Sequence, residues 1–326
     1  MRFIGNRIVI TVITLFLVSV LSFASFHLIP GDAAILSLGI EADEVQIAAL
    51  RAELGLDKSI PEQYIAWLQK FLTGNLGNSA RFRGTPVLTM IRDRLPITFT
   101  LAVISLLMIL LIAIPVSLLP MSGARFRKPS FLDSLVNTLT ALNISMPGFF
   151  LGVLFIWIFG LVLRLFSPGA YVDYRVNLAG FVGYMVFPAL AIALPNAAVL
   201  VKFFRTSIYR EWGSGYVRTA RSKGASRKRT LHRHIIKNAC LPALTILGMI
   251  IGEVFSGSIV MEQVFSIPGI GRLLIASITS RDYMMIETLV IYIAFVVILA
   301  NTLVDIAIQI IDPRIRLGNP GNGSAA

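Results

Sequence analysis

The sequence predicts an all-α polytopic membrane protein with six transmembrane helices and both termini in the cytoplasm. Three observations carry that prediction. The 326 residues are 56% apolar and only 14% charged, whereas an average soluble domain is about 25% charged. The apolar residues gather into six runs, each near the roughly 20 residues needed to cross a hydrocarbon core about 30 Å thick. The 29 lysines and arginines are shared very unequally among the segments joining those runs. This composition excludes a disordered chain and a coiled coil, and the single cysteine, Cys240, excludes an internal disulfide.

The first run, Ile8 to Leu28, follows Arg2 and Arg7 and stops at Pro30-Gly31-Asp32. Its apolar core exceeds that of a cleaved signal, and Phe26, His27 and Leu28 make a poor cleavage site, so it is read as a retained span. The second run is Ile97 to Leu119. The third is Leu142 to Leu165, with Pro147 near its start. The fourth is Phe181 to Phe204, with Pro188 and Pro195 inside it. The fifth is Leu244 to Phe265, and the last is Thr288 to Ile311, closed by Asp312-Pro313. Prolines within spans predict irregular or kinked spans, tolerated where protein or a cavity surrounds the freed backbone groups. Between the first two runs, Gly31 to Pro96 holds eight acidic and seven basic residues. Short helices are expected there over Ala42–Leu54 and Pro61–Phe71, the latter with proline in its first turn. The chain thus divides into an N-terminal span (1–30), an external cap (31–96), a core (97–312) containing a basic loop (205–241), and a tail (313–326).

Charge sets the orientation. The N-terminus, loop two–three, loop four–five and the tail together carry 18 basic and 3 acidic residues, against 11 and 12 on the other side. Loop four–five, counted from Lys202 to Leu241, alone holds eleven basic residues, with Glu211 its one acid. The positive-inside rule places these segments in the cytoplasm. The net charge of +12 is then explained by topology and anionic headgroups, and no zinc spacing or aromatic pattern points to nucleic acid.

Enzyme signatures are missing. There is no G-x-x-x-x-G-K-[ST], no H-E-x-x-H and no G-x-S-x-G, so no catalytic residue, metal site or cofactor is expected on this chain. His232 and His234 are two apart and would diverge on a helix. His27 reads as a packed or interfacial histidine. Two acids interrupt apolar runs: Glu253, within Gly248-Met-Ile-Ile-Gly252-Glu253-Val-Phe-Ser256-Gly257, and Asp305. Exposure of either to lipid is expensive, so each is expected at a pathway or at a helix-packing interface. Gly248, Gly252 and Ser256 recur every four residues, a face that admits close helix approach. These features favour a transport core over a simple anchor.

Loop four–five carries helix signals. Tyr216 to Lys223 can form a helix with Val217, Ala220 and Gly224 on one small face, Gly224 can end it, and Ser226 can cap a second helix. Two readings stand together: a solvated basic loop that enforces topology, or a docking element for a cytoplasmic partner.

The stretches Arg218-Thr-Ala-Arg-Ser-Lys-Gly224 and Arg233-His-Ile-Ile-Lys-Asn-Ala-Cys-Leu-Pro242 resemble the cytoplasmic "EAA" loop of binding-protein-dependent ABC importer permeases, in the variant of the dipeptide, oligopeptide and nickel class. Arg218-Thr219-Ala220 replaces the general Glu-Ala-Ala, and the glycine-to-proline spacing of 18 exceeds that of sugar-type permeases. Both departures are similar to the peptide/nickel class. Further stretches resemble it in the same order: Leu28-Ile-Pro-Gly-Asp32, Leu54-Gly-Leu-Asp57, Gly74-Asn-Leu-Gly77-Asn-Ser79, Arg94-Leu-Pro96-Ile-Thr98, Val264-Phe-Ser-Ile-Pro268-Gly269-Ile-Gly271-Arg-Leu-Leu274, Arg281-Asp-Tyr283 and Asp312-Pro-Arg314. The resemblance implies the type I ABC importer permease fold and a transport subunit without enzymatic activity. It implies a second homologous permease subunit, two ATP-binding subunits carrying ATP and Mg, and an extracytoplasmic substrate-binding protein. Cargo would be a dipeptide or oligopeptide, with nickel chelates, glutathione or another small solute as alternatives within the class. A non-transporting scaffold or sensor subunit and an ion-driven secondary transporter are the alternatives outside it. Tyr216, Arg218, Ala220, Arg221, Gly224 and Arg229 would form the ATPase-docking loop. Pro268, Gly269 and Gly271 would shape an external turn.

Overall fold

The computed structural model describes residues 2–27, 43–54, 57–79, 85–119, 131–280 and 282–311. The expected stop at Pro30-Gly31-Asp32, the arginines of loop two–three, Arg281 and the tail 313–326 lie outside the described residues, as does the side chain of Asp305. Among the described residues the architecture is helical, with one isolated antiparallel bridge between Asn78 and Pro86. In chain order the described helices are α1 (Arg2–His27), α2 (Glu44–Leu54), α3 (Ile60–Leu72), α4 (Val87–Leu118), α5 (Phe131–Ser145), α6 (Gly148–Val162), α7 (Leu178–Trp212), α8 (Gly215–Ser222), α9 (Arg227–Val264), α10 (Ile270–Thr279) and α11 (Tyr283–Ile311). Five of them, α1, α4, α7, α9 and α11, are long and apolar enough to cross a membrane, and the bent pair α5–α6 makes a sixth if it counts as one span. The chain forms two compact units, residues 1–99 with 267–299, and residues 100–266 with 300–326.

The first unit holds the cap helices. In α3, Tyr64, Trp67 and Phe71 fall at helical spacing and stack along one face, with ring centroids 5.9 and 5.7 Å apart. Phe23 of α1 meets Tyr64 edge-on at 5.4 Å, and the Ser19 and Tyr64 hydroxyls hydrogen-bond at 2.8 Å. At the start of α3 the Glu62 carboxylate accepts from the Ser59 N–H and hydroxyl, at 3.0 and 2.9 Å. These bonds hold the Glu62 carboxyl below its usual range and satisfy helix-end donors.

The second helix begins ten residues before the expected Ile97. Val87, Met90 and Ile91 sit at i, i+3 and i+4, and their shared face is buried against Ile270 and Leu273 of α10 and Met285 and Leu289 of α11. Amphipathic packing of this kind extends a helix beyond its apolar run. The segment before α4 is pinned as well. Val87 N–H donates to Gly77 C=O at 3.0 Å, and the Ser79 hydroxyl donates to buried Asp282. Asp282 also accepts from Met285 N–H at the start of α11, at 3.3 Å.

Two glycines here carry opposite consequences. Gly74 and Gly77 both have positive φ, +74° and +69°, but a Cβ on Gly74 would meet open space while one on Gly77 would overlap the Met284 sulfur. Gly77→Val should therefore destabilise the protein by about 2 kcal/mol or more, through left-handed strain and overpacking. Gly74→Ala should cost about 1 kcal/mol from strain alone. Thermal unfolding of the detergent-solubilised protein separates them, and equal shifts would refute the packing contribution.

In the second unit α7 is the hub, packed against α5, α6 and α9. Its inner face is rich in small residues: Ala189, Ala191, Ala193, Ala197 and Ala198 are buried. The helix α7 runs unbroken through Pro188 and Pro195. The break falls at Pro147 instead, where α5 and α6 meet at 99°, because a residue before proline avoids the helical region. The expected third span, Leu142–Leu165, is therefore two helices. The expected start of the fifth span at Leu244 lies inside α9, which passes without a break through Pro242. At the other end of α7 the Tyr184 hydroxyl donates to Phe265 C=O at 2.6 Å and accepts from Gly169 N–H at 3.0 Å. Phe166 stacks on Phe187 at 4.6 Å. Together these tie the loop after α6 to α7 and α9.

Candidate functional site

The basic loop is shorter than its charge suggests. Residues 205–212 complete α7 and 227–241 begin α9, so the connection proper contains α8 and its flanking turns. Arg205, counted among the loop charges, is 4% exposed within α7.

The helix α8 starts after Ser214, whose hydroxyl donates to Glu211 C=O at 2.6 Å. The Tyr216 hydroxyl donates to the Glu211 carboxylate at 2.7 Å. Burial pushes the Tyr216 phenol up from its usual value, and Glu211 adds to that rise. Val217 is 2% exposed and anchors the helix to its own chain. Of the small face, Val217 is thus packed on the chain, Ala220 is half-buried and Gly224 is exposed. The outward face carries Arg218, Thr219, Arg221, Ser222 and Lys223.

Gly224 ends the helix. Its φ is +85°, its N–H donates to Arg221 C=O at 3.0 Å, and Ala225 N–H reaches back to Ala220 C=O at 3.1 Å. This pair of bonds is a Schellman closure, which requires a left-handed residue at Gly224's position. Gly224 is exposed, and a Cβ there would meet nothing within 4 Å. Ser226 then caps the next helix by accepting from Arg229 N–H at 3.4 Å, and the Arg227 guanidinium lies 5.8 Å from the Trp212 ring centroid. Arg229 itself is exposed. The loop is thus a fixed, basic, outward-facing helix with a clear glycine end.

The structure distinguishes two acids of α9. Glu253 is exposed on a face shared with Met249, Ser256 and Val260. Glu262, nine residues on and so about half a turn round the helix, is fully buried. Gly252 is half-buried beside Glu253. Of the small-residue series, Gly248 makes the close approach. A Cβ there would come within 2.8 Å of Val304 Cγ1 on α11.

The turn expected to be external is packed into the core of its unit. Ile267 is fully buried, Pro268 half-buried, and Gly269 precedes α10 in an extended conformation. Ile270 N–H donates to the Thr98 hydroxyl at 2.9 Å, and buried Gly271 brings Leu273 into the core described above.

One ion pair was not foreseen. The Arg205 Nη2 bonds Asp133 of α5 at 2.7 Å, and the Tyr209 hydroxyl donates to the same carboxylate oxygen at 3.1 Å. In the sequence both charges read as loop residues. The one signal was Arg205 lying between Phe204 and Ile208.

Comparison with known proteins agrees with this architecture. Residues 113–317 match the family described as "Binding-protein-dependent transport system inner membrane component", and residues 1–102 match its N-terminal companion. A probable peptide ABC transporter permease of Sinorhizobium fredii is 33% identical over 96% of this chain and 99% of its own length. A dipeptide transport system permease of Lactococcus lactis subsp. cremoris is 31% identical over 97% and 99%. Among solved structures, an inward-facing form of the MetNI methionine ABC transporter aligns with a TM-score of 0.56 and 16% identity, over 68% of this chain and 96% of that one, a likeness of fold. The six-run pattern, the capped basic helix and these near-full-length matches converge: the chain belongs to the family of binding-protein-dependent transport system inner membrane components, and is a multi-pass transport subunit of the bacterial inner membrane.

Proposed function

We propose that this chain is one permease subunit of an ATP-driven importer of dipeptides or oligopeptides. It pairs with a second homologous permease subunit to enclose the pathway. Two ATP-binding subunits, which carry ATP and Mg, dock on the cytoplasmic side, and an extracytoplasmic substrate-binding protein delivers cargo. The relatives that match over nearly their whole length are named for peptide transport, which supports that cargo class. The loop with eleven basic residues faces the cytoplasm on the positive-inside rule.

The observation that carries the mechanism is the posture of α8. Val217 holds it to the permease while Arg218 and Arg221 project outward. A helix rigidly tied to the span bundle and presented to a partner transmits the partner's movement. Closure of the ATPases would push α8, and through α7 and α9 would bias the pathway between two states. Arg218, Arg221 and Arg229 are placed to pair with partner acids, and Tyr216 braces the start of the helix. Copurification tests the assembly. A tagged chain solubilised gently from its native membrane should bring down a second permease and Walker-type ATPases. Recovery of the chain alone, even after cross-linking in intact membranes, would refute it.

Glu253 fits the pathway or the seam with the second permease, because an acid on a bare face of a spanning helix is costly against lipid. Glu253→Gln should leave abundance and assembly intact while peptide uptake falls about tenfold or more, the equivalent of one charged hydrogen bond. Unchanged uptake in reconstituted vesicles would remove Glu253 from the mechanism.

A further inference from the structure

The seam between α5 and the last turns of α7 contains a half-open cavity of about 380 Å³. One wall is Asn137, Thr140 and Ile144 of α5, and the other is Lys202, Arg205 and Tyr209 of α7. Each trio is spaced so that it occupies one helix face. The polar groups here are mostly donors. Arg205 is 4% exposed. Its Nη2 is taken by Asp133, but its Nη1 is buried without a hydrogen-bond partner. Lys202 is exposed and makes no ion pair among the described residues, and Asn137 is exposed beside it. The Thr140 hydroxyl is spent on Val136 C=O at 2.6 Å. Asp133 offsets one of the two cations, leaving the cavity one positive charge in excess.

Arg205 and Lys202 both line this cavity, and the excess positive charge favours an anion entering it. We propose that the α5–α7 cavity binds a phosphate anion, held by Lys202 Nζ and the Asn137 amide beside the positive charge of Arg205. Arginine and lysine together suit phosphate, one by its planar fork and the other as a point charge. Lipid is the nearest source. The cavity lies near the end of α7 that leads into the basic loop, and Leu139, Leu142 and Phe203 beside it are exposed and apolar, suited to acyl chains. A phospholipid headgroup and free phosphate present the same chemistry to these donors.

The two sources are separable. The chain, purified with the subunits that accompany it and then delipidated, is offered vesicles of phosphatidylglycerol or phosphatidylcholine in phosphate-free buffer. Bound lipids are counted by native mass spectrometry. The wild type should retain one phosphatidylglycerol in preference to phosphatidylcholine. Lys202→Gln should weaken retention by about tenfold or more, the loss of one charged hydrogen bond. Lys202 is exposed and unpaired, so this variant should fold normally. Asn137→Leu, a change at an exposed site on the other helix, should weaken retention as well. If inorganic phosphate without lipid stabilises the wild type against heat but not Lys202→Gln, the site stands with free phosphate as its source. Equal retention of both lipids by wild type and both variants, with no effect of inorganic phosphate, overturns the proposal. So does displacement by a dipeptide but not by phosphate, which would make this a cargo site.

Discussion

Asp133→Ala should destabilise the permease by about 3–5 kcal/mol, the usual cost of stripping one partner from a buried ion pair. Arg205 is 4% exposed and its Nη1 already lacks a partner, so losing Asp133 leaves the guanidinium with the Tyr209 hydroxyl, 3.3 Å from Nη2. The charge cannot be shed, because arginine stays protonated at any working pH. The expected result is a large fall in the unfolding temperature of the solubilised protein, or loss from the membrane. A control separates charge from packing. Asp133→Leu with Arg205→Met replaces the pair by apolar groups of similar volume, and should recover most of the loss, as buried pairs replaced in full often do. The coupling between the two sites, read from the double-mutant cycle, should exceed about 1 kcal/mol. Strictly additive effects would mean that the 2.7 Å contact contributes nothing of its own. An Asp133→Ala protein as stable as the wild type would show that solvent reaches Arg205.

What was legible in the sequence, and what was not, divides along a physical line. The spans were readable because the requirement for about 20 apolar residues is local and strict. The cap helices were readable from turn residues, and α2 and α3 fall within a few residues of expectation. The Gly224 stop was readable because glycine at a helix end has few other uses. The failures all depend on what lies across from a residue. Pro147 breaks its helix while Pro188 and Pro195 do not. Pro147 alone is followed by glycine, a turn pair, whereas Pro188 and Pro195 lie in a helix packed against three others. The anchoring of α8 was hidden for the same reason. Val217 reads in the sequence as one residue of a small face, and only the fold shows that it packs on its own chain. Ser79 and Asp282 were both noticed, in stretches 203 residues apart, and only the fold joins them.

Gly224→Asn is the sharper test of how α8 works, because it separates the two reasons for a glycine. The first reason is conformational. At φ +85° most side chains meet a penalty of about 1–2 kcal/mol, so Gly224→Val strains or unwinds the Schellman closure and loosens the helix end. Asparagine tolerates the left-handed region, so Gly224→Asn should keep the bonds from Gly224 N–H and Ala225 N–H intact. The second reason is proximity. Within this chain a Cβ at Gly224 meets nothing, so any harm done by asparagine must come from a surface outside it. If α8 sits end-on in a groove of an ATP-binding subunit, both variants should lose peptide uptake by about 10- to 100-fold, the range of an ordinary coupling free energy. ATP hydrolysis would then cease to respond to the binding protein, while abundance stays normal for Gly224→Asn. If uptake survives in Gly224→Asn and fails in Gly224→Val, the glycine is needed only to end the helix, and the contact surface is the row of Arg218, Arg221 and Lys223. Charge reversal at Arg221 then becomes the decisive change. In that case α8 would be held by charge at its side rather than by close fit at its tip, and uptake by the wild type should weaken as salt screens those pairs.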